Sequence, residues 1–465
     1  MAFIETTRVK ETSVTKKLSR RDFIRNTATL PGAALAARHL TLEADPIPSP
    51  PRPVPPSDTI RFGIIGVGMR GADLLDTSLK LPGVQCAAAC DLYSGRRELA
   101  KEILENASVP ITSRYQDLLD NKEIDAIIAA VPDHWHMRLV VEAASAGKDI
   151  YCEKPMSHTV AEGFKMVEAQ EERNQRIVQI GSQRRSSIGF AKSRELVQQG
   201  AIGEVTLVEA TLGRNDPCGA WVYTIPPDLS PQTVDWETWL GPAPKRPFDA
   251  VRWTRWRCFQ EYGEGIPGDL FVHELTGFHY VMDVQAPPLR AMSTGGLFRW
   301  KDGRDVPDQI STLYEYPNFR ALVHVTLNTD MPEFTRFYGT RGYIESHGEG
   351  DWVMMSPQDG LDHEPCTPAW PKQMKNEYAE KWLAEHGLKP GQGKVIEAQT
   401  YSTPPDYDTT REHLWNFFQS VRTRQPSVED ANFGNNTAIA CHMANYSYFH
   451  KSIAIWDAEA QRIKT

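Results

Sequence analysis

A glycine-rich turn at residues 66–71 constrains the fold of this chain more than any other feature of its sequence. The apolar run 60–65 leads into a Gly-x-Gly-x-x-Gly motif there, and residues 72–75 begin a helical pattern. In the order strand, turn and helix, the glycines let a pyrophosphate approach the backbone, and the helix N-terminus offers free N–H groups. The sequence therefore predicts a dinucleotide site with contacts from Gly66, Gly68, Met69, Arg70 and Gly71.

An acidic residue follows the second predicted strand at the spacing that such a site requires. The run 84–90 ends at Asp91, and an acid about 20 residues after the glycine motif binds the adenosine ribose hydroxyls. A carboxylate here would repel the 2′-phosphate of NADP, so Asp91 favours NAD. Arg96 and Arg97 lie close behind, and an arginine can accommodate that phosphate. We predict NAD, with Asp91 and Arg96 among its contacts, and keep NADP as the alternative.

Length, charge and cysteine content narrow the class of protein. The 465 residues are enough for two domains, each with its own core. A net charge of -9 argues against nucleic-acid binding, which needs a basic surface. No apolar run reaches the length of a membrane span. The seven cysteines are scattered without a Cys-x-x-Cys pair, so the sequence predicts neither a disulfide framework nor a metal site.

The N-terminal part of the chain differs from the rest. Arg20 and Arg21 precede an alanine-rich, weakly apolar stretch at residues 28–37, which resembles a twin-arginine export signal. The alternative is a basic amphipathic helix, but a proline and a glycine make this stretch a poor helix. A proline-rich segment follows, which we expect to be an extended spacer. We therefore predict a signal at residues 1–37, a linker at residues 38–57, and a periplasmic protein carried by the twin-arginine export machinery.

The pattern of apolar residues predicts two domains with different sheets. Strands and helices alternate over residues 58–182, as a parallel doubly wound sheet requires. Later stretches such as 310–316 and 321–326 alternate or run apolar, which is typical of strands in an antiparallel or mixed sheet. The sequence thus predicts an α/β protein with a Rossmann domain at residues 58–182 and a second α/β domain at residues 183–465.

Polar residues follow two of the predicted parallel strands. The apolar run 124–130 ends just before Pro132, and the short strand 149–152 ends before Glu153 and Lys154. Ligands of open α/β sheets bind at the carboxyl ends of the strands, so both segments should face the cofactor cleft. A lysine directly after a buried strand is a candidate active-site residue, and a solvated surface lysine is the alternative. The predicted contacts here are Pro132, His134, His136, Glu153 and Lys154.

Two later segments are candidates for the substrate site. The region 221–256 is rich in tryptophan, and its rings either stack on the C–H faces of a sugar or hold an irregular segment against the core. Asp269 and His273 lie four residues apart, so on a helix the carboxylate and the imidazole share a face and form an acid/base pair. His279 has no such partner, and we expect it to be a packed histidine.

These residues together resemble the Gfo/Idh/MocA family of oxidoreductases, which includes glucose-fructose oxidoreductase and inositol dehydrogenase. The resemblance rests on the glycine motif, on Glu153-Lys154-Pro155 and on the Asp269-x-x-x-His273 spacing, and it extends over everything after the predicted signal. It implies a Rossmann domain followed by an α/β domain whose open, mainly antiparallel sheet often forms an oligomer interface, so we expect a homo-oligomer. It also implies that Lys154 lies beside the nicotinamide and the substrate hydroxyl, that His273 is the general acid/base, and that Asp269 orients it.

Export would place a condition on the cofactor. Outside the cytoplasm no nicotinamide pool reoxidises a dissociating cofactor, whereas the twin-arginine route carries folded proteins with their cofactors. We therefore expect NAD(H) to be held tightly and recycled within each catalytic cycle. The first hypothesis is an oxidoreductase that acts on a secondary hydroxyl of a sugar or polyol. The second is an NAD-dependent glycosidase that oxidises a ring hydroxyl transiently, and the third is a sugar-binding protein without enzymatic activity.

Overall fold

The computed structural model describes residues 38–43, 58–172, 176–357, 366–387 and 397–465. The predicted signal, residues 1–37, lies outside the described residues, as does most of the predicted linker. The linker prediction is wrong at its start, because Arg38–Thr41 forms strand β1 and pairs in parallel with residues 399–402. The prolines of this segment begin only at Pro46. The backbone N–H groups of β1 are therefore free to join a sheet edge.

A parallel sheet of six strands forms the core of the first domain. Its strands are β2 (Ile60–Ile65), β3 (Val84–Cys90), β4 (Ile111–Thr112), β5 (Ala126–Ala129), β6 (Asp149–Glu153) and β7 (Val178–Gly181). They lie in the order β4-β3-β2-β5-β6-β7, and all neighbouring pairs are parallel. The strand order reverses between β2 and β5, so a crevice opens where their carboxyl ends meet. The predicted doubly wound sheet is confirmed.

The helices of this domain begin at the places where the site requires them. They are α1 (Met69–Leu79), α2 (Ser94–Leu104), α3 (Gln116–Asp120), α4 (His136–Ser145) and α5 (Val160–Glu172). Helix α1 has Gly68 as its N-cap, no side chain caps it, and its first turn carries no acidic residue. The first N–H groups of α1 are therefore available to an anionic ligand at the crevice.

The second sheet is larger and mainly antiparallel. Its remaining strands are β8 (Val205–Gly213), β9 (Arg290–Gly296), β10 (Gln309–Glu315), β11 (Arg320–Thr326), β12 (Met331–Gly339), β13 (Gly342–His347), β14 (Trp352–Pro357), β15 (Gln399–Ser402), β16 (Ala454–Asp457) and β17 (Arg462–Lys464). The order is β1-β15-β14-β13-β12-β8-β11-β10-β9-β16-β17. Only the pairs β1–β15 and β8–β11 are parallel in this sheet of the described chain. The predicted open, mainly antiparallel sheet is confirmed.

Helices cover one face of this sheet and also reach the first domain. They are α6 (Ile188–Gln198), α7 (Trp236–Leu240), α8 (Ala250–Thr254), α9 (Val272–Val281), α10 (Lys372–His386), α11 (Thr409–Thr423) and α12 (Ala431–His450). Helix α11 packs on the parallel sheet, where Phe418 lies 5.8 Å from Phe62 between ring centroids. Ala431 and Ala438 of α12 pack into the core on the other side, with Met156. The chain after residue 182 therefore completes the core of the first domain.

The other face of the large sheet carries exposed apolar side chains. Met292, Leu313 and Leu322 lie opposite one another on β9, β10 and β11. Their side chains are exposed, whereas the alternating residues Ile310 and Val323 are buried under the helices. One face of the sheet thus belongs to the core, and the other presents an apolar surface.

None of the described helices has the length and apolar character needed to cross a membrane.

All seven cysteines are unpaired thiols, and only Cys218 and Cys366 are exposed. The buried thiols pack as small apolar side chains.

Candidate active site

A cavity of about 730 Å³ lies between the two domains at the carboxyl end of the parallel sheet. Gly68, Met69, Arg70, Arg96 and Pro132 line one end of it, as predicted from the sequence. Lys154, Asp269 and His273 line the other end. Its volume lies within the range typical of small-molecule sites. The structure therefore brings these five predicted cofactor residues and the three predicted catalytic residues to one cavity.

The glycine turn fits a dinucleotide and admits no larger residue. Gly66 has φ +88°, and a Cβ there would lie 2.3 Å from the carbonyl oxygen of Ala130. A Cβ on Gly71 would lie 1.9 Å from the carbonyl oxygen of Gly66. The backbone can therefore hold this tight turn only with glycine at both positions. With the uncapped N-terminus of α1, the turn forms a cradle of backbone N–H groups for a pyrophosphate.

Asp91 ties the turn to the end of β3. Its carboxylate accepts hydrogen bonds from the backbone N–H groups of Val67, at 2.8 Å, and Tyr93, at 2.9 Å. Arg97 donates to the carbonyl oxygen of Asp91 at 2.8 Å, so its guanidinium is already engaged. Arg96 lies over the ring of Trp253 at 4.2 Å and 4.0 Å from the Asp91 carboxylate. Arg96 is thus the basic group at the ribose end of the cavity.

Glu153 and Arg70 join the end of β6 to the start of α1. The Nε of Arg70 donates to Glu153 at 2.8 Å, and its Nη1 donates to Asp73 at 2.6 Å and to Thr410 at 3.2 Å. Both residues line the cavity, and Glu153 is buried. Since Thr410 belongs to α11, this pair also connects the first domain to the later part of the chain.

Asp269 is the centre of an ionic cluster at the substrate end. Lys154 donates to its carbonyl oxygen at 2.7 Å and to its carboxylate at 2.9 Å, and Arg257 donates to the same carboxylate at 2.8 Å. The indole Nε1 of Trp221 donates to the other carboxylate oxygen at 3.0 Å. Burial alone would raise the pKa of Asp269, but Lys154 and Arg257 hold it well below its usual range. Asp269 is therefore ionised and holds the Lys154 amino group in place.

His273 lies beside this cluster without a hydrogen bond to it. A π-helical turn, Pro267–Phe271, places Asp269 just before α9, which carries His273 in its first turn. The Nδ1 of His273 is buried and has no hydrogen-bond partner. Burial, together with the cations Lys154 and Arg184, lowers the pKa of His273 well below its usual value. The imidazole is therefore neutral and open to a proton.

The predicted acid/base pair of Asp269 and His273 shows no hydrogen bond between the two side chains in this structure. The carboxylate of Asp269 binds Lys154, Arg257 and Trp221. Charged donors make stronger hydrogen bonds with a carboxylate than a neutral imidazole does, so the two cations occupy it. The structure brings both residues to one cavity, and Asp269 positions Lys154 there.

The sequence predicted that His134 and His136 face the cofactor cleft, but neither residue lines the cavity. The ring nitrogens of His136 contact the carbonyl oxygens of Pro155, at 2.7 Å, and Val131, at 2.9 Å. Those of His134 contact the carbonyl oxygens of Tyr262, at 3.3 Å, and Trp239, at 3.1 Å. Both side chains are buried, and a buried polar group requires such partners. After β5 the chain turns into a short 3-10 helix, which carries these rings into the protein interior.

The tryptophan-rich region packs partly in the core and partly along the cavity. Trp236 and Trp239 stack on each other at 4.8 Å and pack in the core. Trp221 and Trp256 line the cavity beside the ionic cluster. Trp221 adopts a left-handed backbone conformation, with φ 62°, that is uncommon outside glycine. This region therefore contributes an aromatic wall to the site as well as part of the core.

Sequence reasoning missed two arginines of this site. Arg257 binds Asp269, and Arg214, which follows β8, also lines the cavity. Neither residue belongs to a regular motif, and both are more than 50 positions from Lys154 in the chain. The only signal was the unusual tryptophan content of the segment around Arg257.

Two family models match the chain, one in each domain. The first, an oxidoreductase family with an NAD-binding Rossmann fold, matches residues 60–182. The second, the C-terminal α/β domain of the same family, matches residues 191–290. Residues 60–182 and 191–290 thus match the two domains of the Gfo/Idh/MocA oxidoreductases. These matches confirm the resemblance stated from the motifs, and the NAD-binding model for the first domain confirms the prediction of NAD as the cofactor.

Curated relatives within the Gfo/Idh/MocA family match mainly the first domain. Inositol 2-dehydrogenase of Salmonella typhimurium is 31% identical over 179 residues, which are 38% of this chain and 50% of that protein. Glycosyl hydrolase family 109 protein 1 of Bacteroides thetaiotaomicron is 25% identical over 330 residues, 65% of this chain and 64% of that protein. The chain thus spans about half the length of the inositol dehydrogenases that it matches.

Solved structures of similar fold cover most of this chain. Levoglucosan dehydrogenase, in complex with NADH and levoglucosan, has a TM-score of 0.61 at 17% identity and covers 85% of this chain and 98% of that one. Aldose-aldose oxidoreductase from Caulobacter crescentus has a TM-score of 0.61 at 16% identity, covering 85% and 99%. At this identity the likeness shows the fold alone.

Proposed function

We propose that this protein is an NAD-dependent oxidoreductase that oxidises a secondary hydroxyl of a sugar or polyol. The observation that carries the proposal is one continuous cavity, which joins the glycine turn to Lys154, Asp269 and His273. The hydride acceptor and the groups that handle the hydroxyl proton would then be neighbours, as this chemistry requires. Relatives named inositol 2-dehydrogenase and a similar fold in levoglucosan dehydrogenase support the sugar or polyol class.

The residues of this chain divide the work between orientation and proton transfer. NAD, when bound, accepts hydride from the substrate carbon at its nicotinamide ring. The glycine turn and Asp91 would hold the cofactor. Lys154 uses two of its three N–H donors on Asp269, which leaves the third for the substrate oxygen. The neutral imidazole of His273 would accept the hydroxyl proton as general base.

The direct test is to load the purified protein with NAD and add sugars and polyols one at a time. Formation of NADH, followed by its near-ultraviolet absorbance, would support the proposal when it is lost in His273→Ala. If no member of a broad panel reduces the cofactor while wild-type protein binds NAD, the protein is not a dehydrogenase of this class.

Tight retention and internal recycling of NAD(H) form a second part of the proposal. Its support is the predicted export, which would remove the protein from the cytoplasmic cofactor pool. The protein should be purified without added nucleotide, unfolded, and analysed for released cofactor. Stoichiometric NAD(H) is the expected result, whereas an empty protein that needs millimolar nucleotide would contradict retention.

We propose export to the periplasm by the twin-arginine route from Arg20 and Arg21 and from the alanine-rich stretch 28–37 that follows them. Lysine at both positions should keep the precursor in the cytoplasm, because the export machinery reads the arginine pair. Cell fractionation followed by immunoblotting checks this. Unchanged periplasmic recovery of the double variant would contradict the proposed route.

An NAD-dependent glycosidase is the second candidate function. It is favoured by the glycosyl hydrolase family 109 relative, which matches more of this chain than the inositol dehydrogenases do. Release of a leaving group from aryl glycosides without net NADH would identify it. An oxidoreductase of the first kind would instead leave the aglycone attached.

We also propose that the chain forms a homo-oligomer through the open face of its large sheet. Met292, Leu313 and Leu322 form an exposed apolar patch there, and such patches mark association surfaces. Leu313→Asp should dissociate the assembly in light-scattering measurements. A monomeric wild-type protein would contradict the proposal.

A further inference from the structure

Arg214 is a cation at the substrate end of the cavity with no counter-ion of its own. It directly follows β8, and its backbone N–H donates to Thr326 at 2.9 Å, which fixes its position beside the sheet. Its side chain is half-buried and lines the cavity. Within the described parts of the chain, its guanidinium makes neither a hydrogen bond nor an ion pair. Asp216 is the nearby acid in sequence, but it is exposed and accepts from the N–H of Gly219 at 2.8 Å.

The charges around Arg214 leave the substrate end positive. Lys154 and Arg257 share the Asp269 carboxylate, and Glu153 in the lining pairs with Arg70. Asp133 also interacts with Arg257, but burial raises the pKa of Asp133 to about 7, so it offsets only part of that charge. Arg214 adds a positive charge without a counter-ion. Burial is the main cause of the lowered pKa of His273, and Lys154, Arg184 and Arg214 lower it further, although Asp269 raises it. A cavity with excess positive charge raises the local concentration of anions and binds them.

The walls of this end suit a sugar ring that carries such an anion. Trp221 and Trp256 provide flat apolar surfaces, and Tyr223 also lines the cavity. A guanidinium offers two parallel N–H groups that match the geometry of a carboxylate. One arginine suffices for a carboxylate, whereas a phosphate dianion calls for more donors.

We propose that the substrate of this enzyme carries a carboxylate, as a hexuronate or a related sugar acid does, and that Arg214 binds this carboxylate. The inference rests on the proposed oxidoreductase function and names its substrate class. The carboxylate lies at the end of the substrate away from the oxidised hydroxyl, which faces Lys154 and His273. Arg214 is thus a specificity-determining residue, and neutral sugars of the same configuration are poorer substrates.

The test compares hexuronates with their matched hexoses in the NAD-loaded protein: D-glucuronate with D-glucose, and D-galacturonate with D-galactose. The measured quantity is the ratio of kcat/KM for the acid to kcat/KM for the neutral sugar. We expect a ratio well above one in the wild type, falling about 10- to 100-fold in Arg214→Gln, as loss of a charge-assisted hydrogen bond predicts. Arg214→Lys should recover part of the ratio. Lys245→Gln, which removes an exposed lysine outside the cavity lining, should leave it unchanged.

A binding measurement separates this inference from the proposed reaction. Titration of the NAD-loaded protein with the same sugars is followed by the change in total tryptophan fluorescence, to which Trp221 and Trp256 of the cavity lining contribute. If no sugar is oxidised but glucuronate binds more tightly than glucose and loses this advantage in Arg214→Gln, the anion site stands and the proposed reaction falls. Equal ratios and equal affinities for acid and neutral sugar would overturn the inference. Preference for glucose 6-phosphate over glucuronate would overturn the assignment to a carboxylate.

Discussion

The cofactor end of the cavity is built mainly by neighbouring parts of the chain, whereas the substrate end is assembled from distant segments. At the first end, backbone conformation defines the site, since Gly66 and Gly71 permit a turn that any Cβ would block. At the second end, charge defines it, since Asp269 holds Lys154 and Arg257 from two other segments. The first end should therefore be sensitive to changes in side-chain volume, and the second to changes in charge.

The largest expected effect concerns His273, the proton acceptor of the substrate end. His273→Ala should lower kcat by about 10²–10⁴-fold, which is the usual contribution of a general base. The affinity for NAD should stay unchanged, because His273 lies away from the glycine turn. Substrate-dependent NADH formation and equilibrium NAD binding check the two statements. His450→Ala, an exposed histidine at the end of α12, is the control and should be fully active. Equal loss of NAD binding in His273→Ala would contradict the separation of the two ends.

Neutralising the carboxylates of Asp269 and Glu153 should show which end of the cavity depends on charge for stability. Asp269→Asn should lower the free energy of unfolding by about 3–5 kcal/mol, because it leaves Lys154 and Arg257 without their partner. Glu153→Gln should cost less, since Arg70 keeps its bonds to Asp73 and Thr410. Urea unfolding of both variants measures the difference. A larger loss of unfolding free energy in Glu153→Gln than in Asp269→Asn would show that the cofactor end depends more on charge than the substrate end does.

The contribution of Asp269 to the free energy of unfolding depends on pH. The folded-state pKa of Asp269 is depressed, so its stabilising contribution is present above the unfolded pKa and is lost as pH falls through the folded value. The stability difference between wild type and Asp269→Asn should therefore stay constant in the neutral range. It should shrink only under strongly acidic conditions.

At the cofactor end, a single added methyl group should suffice to disturb binding. In Gly71→Ala the new Cβ would meet the Gly66 carbonyl oxygen at 1.9 Å, so the turn must shift. Overpacking of this kind costs about 1–3 kcal/mol, or roughly 10- to 100-fold in NAD affinity. Calorimetric titration with NAD measures the loss. Gly200→Ala is a useful comparison, since a Cβ there meets no atom and Gly200 lies outside the cavity, although its φ of +68° costs some stability. Undiminished NAD affinity in Gly71→Ala would contradict the volume argument.

The smallest expected effect is a shift in the pH profile. Because the pKa of His273 is lowered, the acid limb of the rate profile should lie below pH 6.5, the usual value for histidine. Arg214→Gln removes one of the cations that lower this pKa, so the acid limb should move to higher pH. Profiles of kcat/KM against pH for the two proteins check the direction. A shift to lower pH would contradict the electrostatic account of His273.

Much of the architecture followed from patterns that are local in the chain. The glycine motif, the buried strands and their alternation with helices predicted the parallel sheet, because each depends on neighbouring residues. The same reasoning failed for His134 and His136, which follow a strand end but turn inward to bond backbone carbonyls. It also failed for β1, which pairs with a strand some 360 positions later. Neither outcome has a local signal.

The cofactor turn and the catalytic candidates could be predicted from the sequence, because they depend on short-range sterics and on the spacing of nearby residues. The pairing of those candidates became evident only in the folded chain. Asp269 lies four residues from His273 but binds Lys154 and Arg257, since full charges from distant segments outcompete a neutral ring nearby. The role proposed for Arg214 likewise follows from its place in the cavity lining. Long-range electrostatics and packing depend on which segments meet, and that is a property of the folded chain.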